Sequence, residues 1–215
     1  MPSASAISRN FVAGTPRSIA SAKAGETVID LCAGAGGKTL ALAAAMANGG
    51  TLIAADTDRN RLAKLAPRAA RAGALIAETI LLDPGREAEA LAARQGKADA
   101  VLVDAPCSGT GTWRRNPEAR WRLDQAALAR LAALQQHLLE IAAALVKPGG
   151  RLVYVTCSLL DEEGAGQAAD FLARHPEWHA GSAALPLGRA RGPGVRLTPF
   201  HDGTDGFFIA RLEKA

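Results

Sequence analysis

Two cysteines close apolar runs in this chain of 215 residues, Cys107 in "VLVDAPCSGTG" and Cys157 in "LVYVTCS". A thiolate is a strong nucleophile, but an ordinary thiol is little ionised near neutral pH, so a reactive cysteine needs surroundings that favour its charged form. Two charged residues stand close to such positions. Asp104 ends "VLVD", where a carboxylate would be half buried without purpose unless it does chemistry. Lys38 ends the glycine-rich bend "CAGAGGK" and falls in the first turn of a predicted helix. A cation there faces the positive end of the helix dipole at a cost of about a few tenths of a kcal/mol, so an anionic or electron-rich group should offset it. For each of Cys32, Cys107 and Cys157 the plainer reading is a small buried hydrophobe. They are far apart, odd in number and include no C-x-x-C pair, so neither a disulfide framework nor zinc spacing is expected. His175 and His179 are separated by Pro176, and no metal site is predicted.

The bend "CAGAGGKT" (32–39) invites three readings. A triphosphate P-loop requires glycine at position 32, which is Cys32. A dinucleotide fingerprint begins with Gly34 and Gly36 but requires glycine at position 39, which is Thr39. The third is a methyltransferase loop, in which glycines let the backbone approach a methionine moiety and a carboxylate about 20 residues on holds ribose hydroxyls. Asp56 occupies that place.

Positioning such groups requires a frame. Short, mostly apolar, unalternated runs predict strands at 27–33, 51–57, 74–83, 98–105 and 150–158, each covered on both faces. Helices are expected at 37–48, 58–72, 86–95 and 123–146; in the last, Leu128, Leu131, Leu134, Leu138, Ile141 and Leu145 recur at helical spacing before "KPGG" stops it. This alternation implies an α/β, doubly wound, mostly parallel sheet whose ligands lie outside the carboxyl ends of the strands. Cys32 to Lys38, Asp56, Asp83, Asp104 to Cys107 and Cys157 all fall at or just past such ends, so they should converge on one crevice. The C-terminal part predicts an antiparallel pair at 195–200 and 205–212, with "PLGRARGPG" (186–194) as a flexible loop before it. The acidic "DEEG" (161–164) reads as the first turn of a helix and receives no function.

A chain 48% hydrophobic can bury one sizeable core. No apolar run is long enough for a membrane span and the N-terminus lacks the apolar core of a secretory signal, which predicts a cytoplasmic protein. A formal net charge of +4 permits an anionic partner without requiring one.

In "DLCAGAGGKT", "DAPCSGTG" and "VTCS", in that order, and in the ending "DGFFIARLE", the chain resembles the RsmB/Sun family of S-adenosylmethionine-dependent RNA (cytosine-5) methyltransferases from about Thr27 onward. The resemblance implies a Rossmann-like methyltransferase domain over 27–215 behind a short N-terminal segment, 1–26, with S-adenosyl-L-methionine as cofactor. It implies an RNA substrate, ribosomal RNA ahead of transfer RNA, methylated at carbon 5 of a cytosine. That carbon is a poor nucleophile, so a thiolate must first add to carbon 6. Spacing does not say which cysteine attacks. By the resemblance Cys157 is the nucleophile and Cys107 assists release, Asp104 lies near the cytosine and the methyl donor, and Lys38 helps position the base. Cys32, Ala33, Gly34, Ala35, Gly36, Gly37 and Lys38 form the cofactor loop, with Asp56, Asp83 and Asp104 as carboxylates toward the cofactor.

The chain departs from the family in two places. Gly34 and Ala35 stand where the commoner loop has Ala-Pro, and no recognisable RNA-binding region precedes the first strand. A cofactor-binding remnant, inactive alone, is therefore the alternative. "GTWRRNPEARWR" (111–122) follows a site-bearing strand end and mixes Arg114, Arg115, Arg120 and Arg122 with Trp113 and Trp121. Arginines for phosphate and rings for unstacked bases suit single-stranded RNA; the bland reading is a solvated basic loop with its tryptophans packed inward.

Overall fold

The computed structural model describes residues 22–183 and 185–215. Of the expected N-terminal segment, residues 1–21 lie outside the described residues.

Five parallel strands form the frame: β1 (Thr27–Asp30), β2 (Thr51–Asp56), β3 (Glu78–Leu81), β4 (Ala98–Asp104) and β5 (Val146–Thr156). They run in the order β3-β2-β1-β4-β5, so the chain reverses direction across the sheet between β1 and β4. That switch point opens a crevice at the carboxyl edge, where open α/β sheets bind ligands. Four more strands extend the sheet: β6 (Trp178–Ala180), β7 (Arg189–Arg191), β8 (Gly194–Leu197) and β9 (Phe207–Lys214). β9 lies antiparallel to β5, with β8 and then β7 beyond it, and β6 also pairs with β9.

Alternate side chains of the central strands feed two cores. Ile29, Val101, Leu152, Tyr154 and Phe208 point to one face, where α5 (Gln125–Leu145) and α6 (Ala165–Arg174) bury Leu138, Leu139 and Phe171. Val28, Leu102, Val153 and Ile209 point to the other, under Leu42 and Met46 beside α1 (Gly37–Ala45). Burial on both faces is why these strands read as continuous apolar runs.

Several boundaries differ from expectation, each for a physical reason. The helix expected over 58–72 is two helices, α2 (Arg59–Leu62) and α3 (Leu65–Ala72). Pro67 cannot donate to the carbonyl one turn back, so the helix restarts. The strand expected over 74–83 is only Glu78–Leu81, and the helix after it is one turn, α4 (Glu87–Ala90), followed by a 3-10 turn over Ala92–Arg94. α5 starts at the Asp124 cap, whose carboxylate accepts the Ala127 N–H at 2.6 Å, and passes directly into β5 at Val146. "KPGG" therefore lies within β5, where the register with β4 slips between Ala98 and Ala100. "DEEG" forms a 3-10 turn, Asp161–Glu163, ahead of α6. The expected flexible loop at 186–194 instead carries β7 and enters β8, and a short helix, α7 (Pro199–Asp202), joins β8 to β9.

Candidate active site

The loops after all five parallel strands leave the carboxyl edge and each contributes part of one site. After β1 the glycine bend turns into α1. Gly36 sits at φ +86°, and a Cβ there would fall 1.9 Å from Leu65 Cδ1, so the turn admits only glycine. Gly34 also has positive φ, with the Arg61 guanidinium packed against it. Gly34 is one of the two positions at which the chain departs from the common family loop, and glycine takes this left-handed conformation without the strain a side chain would bring.

The bend is tied to β2 by Asp56. Its Oδ2 accepts the Gly34 N–H and its Oδ1 the Asp58 N–H, both at 2.7 Å. Each carboxylate oxygen retains a second lone pair for a ligand hydroxyl. Beneath the loop lies Asp30, fully buried, with Oδ2 accepting the Thr39 hydroxyl at 2.6 Å. Burial first, then the nearby Asp104 and Asp56 charges, push its carboxyl up to about 7 against the bonding of Thr39 and the pull of Lys38.

After β4, Asp104 accepts a hydrogen bond from Lys38 Nζ. This is the anion that the first-turn cation required. Beside it the Cys107 sulfur lies 3.4 Å from that of Cys157, which follows β5. The Cys157 thiol is held below its ordinary value, chiefly by its hydrogen bond with Cys107 and with help from Lys38, against burial and the Asp104 charge. Cys107 is pushed well up by sharing that bond, by burial and by the Cys157 and Glu163 charges. The two shifts run in opposite directions, Cys157 toward its ionised form and Cys107 toward its protonated form. Cys32 is driven far up by burial and by Asp30, Asp104 and Asp56, which makes it a neutral wall residue.

A network unforeseen in the sequence supports the Cys107 turn. Glu163, fully buried, accepts the Ser108 N–H at 2.8 Å, the Gln135 amide at 3.1 Å and the Ser108 hydroxyl. The Tyr154 hydroxyl donates to the Glu163 carbonyl at 2.7 Å. Gln135 interrupts the apolar stripe of α5, and its amide also reaches the Pro106 carbonyl at 2.9 Å. The only sequence signals were an acidic turn and one polar residue on a leucine face.

Between these loops opens a cavity of about 310 Å³ whose wall includes Cys32, Asp56, Asp104, Cys107 and Cys157. Leu31, Leu82, Pro106, Leu134 and Leu138 supply its apolar surface and Arg61 and Glu87 add charge. Leu134, expected in the core stripe, is exposed and belongs to this wall instead. A family model described as 16S rRNA methyltransferase RsmB/F matches residues 18–213. The chain belongs to the RsmB/F family.

The relatives agree with this membership. The ribosomal RNA small subunit methyltransferase B of Thermus thermophilus is 43% identical over 196 residues, which are 90% of this chain and 46% of that protein. Its namesake in Sodalis glossinidius is 40% identical over 88% of this chain and 42% of its own length. The chain therefore spans less than half the length of these curated relatives. Among solved structures, NSun6 from Pyrococcus horikoshii with SFG is 28% identical, with a TM-score of 0.83 over 100% of this chain and 56% of that one.

RsmB/F proteins are S-adenosylmethionine-dependent methyltransferases, and the cavity suits that cofactor. A nucleoside needs an apolar slot for its base and acceptors for its ribose hydroxyls. The cavity has an apolar wall of leucines with Pro106, and the Asp56 carboxylate lies on it.

The expected site residues divide. Cys32, Asp56, Asp104, Cys107 and Cys157 meet at the cavity, and Lys38 reaches it through Asp104. Ala33, Gly34 and Gly36 are buried in the bend and shape it rather than line it, Ala35 is half-buried and Gly37 is exposed. Asp83 does not join them. It is exposed, its carbonyl takes the Arg86 N–H to turn the chain, and this loop presents Leu82 and Glu87 to the cavity.

The basic segment also sorts. Arg114 and Arg115 are tied to buried Asp205 at 3.5 and 2.6 Å. Trp113 turns partly inward with its indole nitrogen buried. Trp121, by contrast, is 77% exposed with the Arg120 guanidinium 4.4 Å above its ring, and Arg122 is exposed beside it. The aromatic surface in this segment is therefore Trp121 rather than Trp113.

Proposed function

We propose that this chain methylates carbon 5 of a cytosine in RNA, with ribosomal RNA the favoured substrate, through a transient covalent bond from Cys157. The observation that carries the proposal is the pair of thiols 3.4 Å apart beside the Lys38–Asp104 ion pair, at the mouth of a nucleoside-sized cavity.

S-adenosylmethionine, when bound, supplies an electrophilic methyl group. Asp56 would accept its ribose hydroxyls, Leu134 and Leu138 would flank its base, and the 32–37 backbone would pass its methionine end. Toward the substrate, Asp104 and Lys38 offer an acceptor and a donor side by side. This suits the exocyclic amine and ring nitrogen 3 of a cytosine taken out of its stack. The Cys157 thiolate adds to carbon 6, and charge pushed onto the ring is stabilised by Lys38. Carbon 5, now enamine-like, takes the methyl group. Water takes the carbon 5 proton, the carbon–hydrogen pair re-forms the 5,6 double bond, and the carbon 6–sulfur bond breaks with its electron pair returning to the Cys157 sulfur. Cys107, which keeps its proton beside that sulfur, assists this release.

The test is to incubate the protein with methyl-labelled S-adenosylmethionine and small-subunit ribosomal RNA, digest the RNA and identify the labelled nucleoside by mass spectrometry. The expected product is 5-methylcytidine. Label at another atom would overturn the cytosine assignment. Binding of S-adenosylhomocysteine without transfer to any RNA would support the remnant reading instead.

A further inference from the structure

Beyond the reacting site, the far end of the sheet carries a second basic cavity. It has a volume of about 210 Å³ and is lined by Arg189, Ala190 and Arg191 of β7, Arg196 of β8, and Thr198 and His201 around α7. Strand pairing fixes where it lies. Thr156 of β5 is level with Phe208 of β9, and Phe208 with Arg196 of β8. Arg196 is thus two strand spacings, roughly 10 Å, from the strand end that carries Cys157. Because β8 runs parallel to β5, its carboxyl end, with Thr198 and α7, faces the same side of the sheet as the thiols.

The charges there are only partly neutralised. Arg191 and Arg196 share the one carboxylate of Asp161. Asp202 is occupied by the Gly188 and Thr198 N–H groups at 3.0 and 2.8 Å. Arg189 is exposed and has no ion-pair partner among the described residues, and Arg196 Nε is buried without a hydrogen-bond partner among them. Next in the chain to His201 of the lining, Phe200 is 88% exposed, with its ring 4.7 Å from that of His201. An exposed ring beside an arginine-lined pocket is the arrangement that holds a base and its phosphate in single-stranded nucleic acid.

We infer that Arg189, Arg196, Thr198, His201 and Phe200 form a second nucleotide site that grips single-stranded RNA beside the target base, a phosphate in the pocket and a base against Phe200. This rests on the RNA-methylating reading. At a rise of about 3.4 Å per stacked nucleotide, the gripped residue lies roughly three nucleotides from the target cytosine. The surface sets which flank must be unpaired and holds the strand while the cytosine enters the cavity.

The experiment uses the full chain and two fluorescein-labelled single strands, each with one central cytosine. One is about 12 nucleotides long, the other about five, too short to reach the pocket. Binding is read by anisotropy and methyl transfer separately. The wild type should bind the longer strand more tightly. Arg189→Ala and Phe200→Ala should each weaken the longer strand roughly tenfold, leave affinity for the shorter strand unchanged, and, for Arg189→Ala, reduce the magnitude of the salt slope by about 0.7. Both variants are at exposed positions, and circular dichroism verifies their fold. Wild-type affinity of both variants for the longer strand, or equal weakening of both strands, overturns the inference while methylation leaves the functional reading standing. A length-dependent loss in variants of a wild type that methylates neither strand upholds the surface and overturns that reading. No binding of either strand by the wild type overturns both.

Discussion

The Cys107 and Cys157 sulfurs, 3.4 Å apart, are close enough to share a hydrogen bond, and in the proposed mechanism the sulfur left ionised is the one that attacks. Cys107 lowers the Cys157 value by donating to it, and Lys38 adds a favourable charge. Removing the donor should therefore raise the pH needed to ionise Cys157. In Cys107→Ala, the midpoint of iodoacetamide alkylation at Cys157, followed by peptide mass spectrometry, should move to higher pH. An unmoved midpoint would mean that the donor is not Cys107. Asp30 makes a second residue-scale prediction. Its carboxyl ionises near 7 when folded against 3.8 as an ordinary carboxyl, so the folded state holds the extra proton between those values. Stability from this group is full below about pH 4 and falls as pH rises through 7. Asp30→Asn should remove that decline, so the urea-unfolding curve of the wild type should lose on the order of a few kcal/mol relative to the variant between pH 4 and 8. Cys107, Cys157, Asp104 and Lys38 were legible in the sequence because their types are out of place at strand ends and in a helix's first turn. Glu163 was not, since its Ser108 partner lies 55 residues away and "DEEG" satisfies a helix start equally well.

At the scale of elements, the glycine bend and the Cys107 turn are held by different means. Gly36 is held by conformation, with Leu65 filling the place of a side chain. Gly36→Ala should lower stability by about 1–3 kcal/mol in urea denaturation and weaken S-adenosylhomocysteine binding in calorimetry. The Cys107 turn is held by buried polar bonds. Glu163→Ala leaves the Ser108 N–H without its acceptor and the Gln135 amide with only the Pro106 carbonyl, and should cost roughly 2–4 kcal/mol, with activity falling further than stability alone explains. A variant as stable as the wild type would show that water replaces the carboxylate. The central strands were readable because burial on both faces leaves them apolar. β8 was expected at 195–200, but β7 was not, because it is a short edge strand whose Arg189 and Arg191 are exposed and whose "RGPG" carries turn residues in place of a two-fold apolar pattern. The interruption between α2 and α3 was readable in principle from Pro67.

For the whole molecule, one sheet edge collects the chemistry and the charge. The net charge of +4 is modest, yet Arg120, Arg122, Arg189 and Arg196 lie on loops and strand ends that converge on it. Affinity for single-stranded RNA should fall with salt with a log–log slope of about −0.7 for each phosphate neutralised, giving roughly −2 to −3 for three or four contacts. A slope near zero in anisotropy titrations would mean that this edge does not hold the backbone. Among the described residues no helix is long and apolar enough to cross a membrane. Membership of the RsmB/F family was legible because its motifs are short, ordered and tied to strand ends. The second basic cavity was not, because it is assembled from a hairpin and a one-turn helix that only the sheet register brings level with Cys157.

The central claim is that Cys157 attacks the base and Cys107 lets the product go. It is tested most directly by incubating Cys107→Ala and Cys157→Ala with S-adenosylmethionine and RNA and resolving covalent protein–RNA adducts on denaturing gels. The account predicts a stable adduct with Cys107→Ala and none with Cys157→Ala. An adduct with Cys157→Ala alone would reverse the two roles, and none with either variant, although the wild type methylates RNA, would contradict covalent attack by cysteine.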